Sequence, residues 1–129
     1  MLATVTAGTP QNLAQLLIGY NPAAGAMSTP PIPSYQPVYA TRVFIQMASG
    51  GSGKGIIFDG VPLGVTPTDT SYGDIVAELA PATATAPGGS YSDATPGHLV
   101  GAPQIDLRRM WIDGSNNGDG IRVSAYLVD

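Results

Sequence analysis

Hydrophobic and polar residues alternate most clearly near the end of the chain. There Ile121, Val123, Ala125 and Leu127 fall on one side, and Arg122, Ser124, Tyr126 and Val128 on the other. Period-two alternation marks a half-buried β-strand, because successive side chains leave opposite faces of the pleat. Upstream, Met110 and Ile112 alternate with Arg109 and Trp111, and residues 114–120, rich in Gly, Asn and Asp, separate the two runs. Such residues tolerate positive φ, so residues 105–128 are expected to form a closing β-hairpin. Residues 41–47 and 55–61 read as two further strands, joined into a second hairpin by the Gly-rich residues 48–54.

Elsewhere the pattern is more broken. Residues 2–6 are a short β-prone start. A short helix follows, with Thr9 as N-cap, Pro10 in the first turn, Leu13, Leu16 and Leu17 on one face, and Gly19 as terminator. The rival reading continues the first strand through Leu13, which Pro10 opposes. The run Ser71-Tyr72-Gly73-Asp74, before Ile75, Val76 and Leu79, fits a helical turn or a short strand. Residues 80–89 are low in complexity and read as loop or edge, and residues 90–95 as a short strand before Pro96-Gly97 turns the chain. The whole is a single all-β domain over residues 1–129, a β-sandwich or jelly-roll-like barrel with long Pro/Gly-rich loops and one or two short helical turns.

Residues 20–40 stand apart. Pro22, Pro30, Pro31, Pro33 and Pro37 are interleaved with Tyr20, Ile32, Tyr35 and Tyr39. Proline fixes φ and removes a donor, so this piece is either an extended arm or a loop folded over one end of the sandwich. As an arm it offers Tyr20, Pro30, Pro31, Ile32, Pro33, Tyr35 and Tyr39 as partner contacts. Trp111 is either a further interface anchor or part of the core.

Composition sharpens this picture in two ways. Only 11% of residues are charged, well below the ~25% of an ordinary soluble domain, as expected of a surface covered by partners. The basic residues are Arg42, Lys54, Arg108, Arg109 and Arg122 against nine acids, too few to neutralise a phosphate backbone, so nucleic acid is not an expected partner. Cysteine is absent, which removes disulfides and thiolate metal sites. No run approaches the ~18 apolar residues of a membrane span, and the first residues lack a basic, then apolar, leader; a soluble, cytoplasmically made protein with no membrane partner is expected.

The chemical motifs weaken on inspection. Residues 50–55 suggest a phosphate loop, but Ala48 stands where its first Gly belongs and Gly55 where its Ser or Thr belongs, and a strand follows rather than a helix. Residues 113–124 suggest a calcium loop, but Ser124 replaces the closing Glu, and hairpin turn chemistry explains the same residues. His98 is the one histidine, in a Pro-Gly-flanked loop. Asp59, Asp69, Asp74 and Asp106 sit beside strands or turns, where solvated turn acids are the default. No catalytic residue, metal site or cofactor is therefore expected.

Several stretches taken together resemble small all-β virion accessory proteins of tailed bacteriophages. They are Val5-Thr6-Ala7-Gly8-Thr9-Pro10, Leu13-Ala14 with Leu16-Leu17, and Val43-Phe44-Ile45-Gln46 with its Gly-rich turn into Ile56-Ile57-Phe58-Asp59-Gly60. Ala86-Pro87-Gly88-Gly89-Ser90-Tyr91, Asp106-Leu107 to Ile112-Asp113, and Gly118-Asp119-Gly120 extend the resemblance to about two thirds of the chain. Residues 20–40 and 66–86 are longer than the family pattern. The resemblance implies a compact module that decorates or cements a capsid, or forms the base of a fibre, often as a symmetric dimer or trimer, with no catalytic residues. The expected role is a capsid decoration or cement protein on the virion surface, bound to major capsid protein subunits. The alternative is a carbohydrate- or receptor-binding module of a tail fibre or spike, with Tyr72, Tyr91, Trp111 and Tyr126 as candidate sugar contacts.

Overall fold

The computed structural model describes residues 1–18, 38–60, 73–94 and 104–128. These form β1 (Leu2–Thr4), β2 (Gln11–Asn12), the helix α1 (Leu13–Ile18), β3 (Tyr39–Met47), β4 (Gly55–Gly60), β5 (Gly73–Leu79), β6 (Ser90–Ala94) and β7 (Ile105–Asp106). A 3-10 turn (Leu107–Arg109), β8 (Met110–Gly114) and β9 (Gly120–Leu127) complete them. The fold is all-β. One antiparallel sheet has the order β1-β9-β3-β6, with β7 pairing the start of β3, and the other has the order β2-β8-β4-β5.

The inward side chains of the two sheets form one core. Val43, Ile45, Met47, Ile121 and Val123 come from the first sheet, and Ile57, Leu79, Met110 and Ile112 from the second. Leu13, Ala14 and Leu107 add to this core from α1 and the 3-10 turn. A buried Ile or Leu side chain of this kind contributes about 1.5–3 kcal/mol. Between the sheets, glycine admits close approach: a Cβ on Gly55 would stand 2.6 Å from the Met47 sulfur.

The strands appear where the alternation predicts them, but neither expected hairpin forms. β3 and β4 lie in different sheets, as do β8 and β9, so residues 48–54 and 115–119 are arches that carry the chain from one sheet to the other. Alternation specifies a strand with one buried face, and either sheet of a sandwich provides that environment. Gly-rich turn chemistry serves an arch as well as a hairpin.

Pairing is instead nested. β4 pairs with β5, β3 with β6, β2 with β8 and β1 with β9. Among the described strands, only β4 and β5 are both consecutive in the chain and hydrogen-bonded to each other.

The helix begins later than Thr9. Gln11 and Asn12 pair with Ile112 and Trp111, which holds them extended, and the cap is Asn12. Its Oδ1 accepts from the N–H groups of Ala14 (3.0 Å) and Gln15 (3.3 Å). Its Nδ2 donates to the Arg108 carbonyl at 2.7 Å, which ties the cap to the 3-10 turn. Of the two readings of the run that ends at Leu79, the strand is the one that forms, over Gly73–Leu79. β3 starts at Tyr39, and Val38 before it is buried. Among the described residues, no helix is long and apolar enough to cross a membrane.

Candidate functional site

At one end of the sandwich the two arches lie against each other, and here the phosphate-loop and calcium-loop motifs find their use. The Gly53 N–H donates to Asp119 Oδ2 at 2.8 Å, and Asp119 is buried. Extra Cβ atoms on Gly51 and Gly53 would stand 2.6 Å and 2.8 Å from the Asp119 carboxyl group. The glycines thus make room for a carboxylate supplied by the chain itself, and that carboxylate occupies the amide a phosphate would need. Lys54, the lysine of the motif, reaches Glu78 at 3.6 Å, an exposed pair of small energetic value.

The oxygens of the calcium-like loop diverge. Asp113 Oδ2 accepts from the Gly8 N–H (3.2 Å), Asn117 Oδ1 from the Ala7 N–H (2.8 Å) and Ser115 Oγ from the Lys54 N–H (2.9 Å). Asp113 and Asn117 thus fasten residues 7–8, and Ser115 the other arch. Among the described residues no group of three or more His, Cys, Asp or Glu is placed to hold a metal ion.

A cleft of about 390 Å³ opens where β4, β6, β7 and the 3-10 turn meet, and Asp59, Tyr91, Asp93, Asp106 and Arg109 line it. Its walls shield the Asp59 carboxyl from water and push its pKa up. Arg109 opposes that shift, while Asp106, Asp93 and Asp74 reinforce it. Burial, with Asp93 and Asp59 nearby, also raises the pKa of the Tyr91 phenol. Arg109 is anchored by its Nη2, which donates to the Gly60 carbonyl at 2.9 Å.

A second cleft, of about 400 Å³, lies on the outer face of the first sheet and is lined by Arg42, Phe44, Ser92, Ser124, Ala125 and Tyr126. Strand register builds it in two rows. Tyr126, Arg42 and Ala94 lie side by side across β9, β3 and β6, and Ser124, Phe44 and Ser92 form the next row. Tyr126 is 64% exposed and Phe44 39%. The Arg42 guanidinium carbon stands 5.8 Å from the centre of the Tyr126 ring, within cation–π range.

The expected contact residues are scattered. Tyr39 is exposed at the start of β3. Trp111 is only 9% exposed and shares the outer side of its sheet with Asn12 and Phe58, its register partners. Tyr20, Pro30, Pro31, Ile32, Pro33 and Tyr35 lie outside the described residues, as do Tyr72, Asp69 and His98. Of the candidate sugar contacts, Tyr126 is exposed and Tyr91 half-buried.

Arg42, Phe44, Ser92 and Ser124 were not singled out by motif. The signal that could have found them is Phe44 itself, a large aromatic on the polar side of an alternating strand. Comparison of the chain with known protein families, with curated proteins and with solved structures finds no match.

Proposed function

We propose that the protein is a non-enzymatic phage virion structural protein, a capsid decoration or cement protein that binds and stabilises an assembled shell. The nested pairing supports this reading: four antiparallel pairs wound as one folded ribbon are the plan of a jelly roll, an architecture common in capsid proteins. The observation that carries the proposal is β5. It is a seven-residue strand at the edge of its sheet, paired with β4, and it exposes Ile75 (55%) and Val76 (44%). The ladder to β4 carries a bulge that leaves Val76 as the extra residue opposite Ile57 and Phe58. A bulge discourages plain strand addition, so the apolar side chains of Ile75 and Val76, rather than the backbone edge, are the surface offered to a neighbouring subunit.

Attachment of this kind stabilises the shell by mass action, since the ligand binds the assembled form. A specific contact buries on the order of 800 Å² per partner, and symmetric copies multiply the effective affinity. The test is co-sedimentation with mature shells and with precursor shells of the particle, using the wild-type protein and V76K. The expected result is stoichiometric binding to mature shells, lost in V76K while its circular dichroism is unchanged. Binding to neither shell by the folded wild-type protein overturns the proposal and moves the role to a receptor- or carbohydrate-binding module of the tail.

A further inference from the structure

We infer that the cleft on the outer face of the β1-β9-β3-β6 sheet is a binding site for a carboxylated sugar, such as a uronate or sialate unit of an acidic polysaccharide. This inference is independent of shell attachment, which uses the other sheet's edge.

Charge on this face is segregated. The outward positions are Arg42, Phe44 and Gln46 on β3, Arg122, Ser124 and Tyr126 on β9, and Ser90, Ser92 and Ala94 on β6. Two of the chain's five basic residues are among them and none of its nine acids; Asp106 on β7, the acid on this side of the sheet, lies opposite Tyr39, beyond the bulge between Ala40 and Arg42. In a protein of net charge −4, such a face attracts an anion locally while the molecule as a whole repels polyanions. Among the described residues the one ion pair within 4.0 Å joins Lys54 and Glu78, so none of the described carboxylates is paired with Arg42.

The remaining groups favour a sugar over an inorganic anion. Tyr126 and Phe44 are diagonal neighbours on adjacent strands, about 7–8 Å apart, and leave apolar surface on either side of a gap that one pyranose ring can fill. The Ser92 and Ser124 hydroxyls flank Phe44 in its row and can both donate to and accept from ring hydroxyls. Arg42 holds the Tyr126 ring through the cation–π contact and still presents guanidinium N–H groups to a carboxylate. The cleft volume of about 400 Å³ falls within the ~300–1,000 Å³ of small-ligand sites, which combine apolar walls with a few directed polar groups.

The test is affinity electrophoresis of the full chain through native gels containing sodium alginate, colominic acid or neutral dextran. The wild-type protein is compared with R42Q, Y126A and R122Q, each checked for folding by circular dichroism. Arg122 lies opposite Gln46, four residues along the strand from Arg42, about 13 Å away, and therefore reports general charge attraction. We expect retardation by alginate or colominic acid but not by dextran. R42Q and Y126A should weaken it about tenfold or more, and R122Q less than about threefold. No retardation by either acidic polymer, equal loss in R42Q and R122Q, or equal retardation by dextran overturns the assignment.

Discussion

A Cβ on Gly51 would meet the Asp119 carboxyl carbon at 2.6 Å, so G51A must displace a buried acceptor that also holds the Gly53 N–H. D119A leaves that N–H unsatisfied, at a cost of about 1–3 kcal/mol. Because the two substitutions act on one contact, the G51A penalty should shrink in the D119A background. A double-mutant cycle by urea denaturation measures that coupling. Asp59 makes a second residue-scale prediction. In the unfolded chain its carboxyl titrates near 3.8, and folding raises that value, chiefly through burial. The folded state therefore holds this proton to higher pH, so the contribution of Asp59 to stability is fully present below 3.8 and is lost as pH rises through the raised value. Subtracting the D59N stability from that of wild type, between about pH 3 and about pH 7, should show this decline; a flat difference contradicts it. Gly50-Gly51-Ser52-Gly53 was conspicuous in the sequence, yet Asp119, the group it accommodates, is distant in the chain, and spacing motifs do not reveal such partners.

At the scale of elements, α1 rests on its cap. N12A removes the acceptor for two helix N–H groups and the donor to the Arg108 carbonyl. The expected loss is about 2 kcal/mol, read from the urea midpoint, with greater exchange at the amides of Ala14 and Gln15. The sequence placed the cap at Thr9 because Thr-Pro before an apolar run has the form of a helix start. What it could not show was that β8 would recruit Gln11 and Asn12 into a sheet. The same limit explains the two hairpins that turned out to be arches. Strand existence is written locally in Val43, Ile45, Ile121 and Val123, whose alternation is plain. Partner choice depends on which strands reach the middle of each sheet, and no local period encodes that. Phe44, facing outward in β3, was legible as an exception to alternation, but its companions Ser92 and Ser124 become neighbours only through the ladders.

For the whole molecule, the nested pairing joins the strands nearest each end of the chain, β1 and β9, and closes long loops before most ladders can form. Such topologies fold slowly, over about milliseconds to seconds. Stopped-flow refolding should fall in that range and be slowed little by V76K, whose side chain lies on an exposed edge. The central place of β9 has a further consequence. It lies between β1 and β3, so until residues 120–127 exist those two strands have no common neighbour. A ribosome making this chain thus holds a half-sheet with two facing open edges until nearly the whole described length has been synthesised. Closure of this sheet must then await residues 120–127. A chain cut at residue 119 should show neither the cooperative thermal transition nor the solubility of the full protein, since it would be an unclosed template for pairing with other chains rather than a smaller version of the fold.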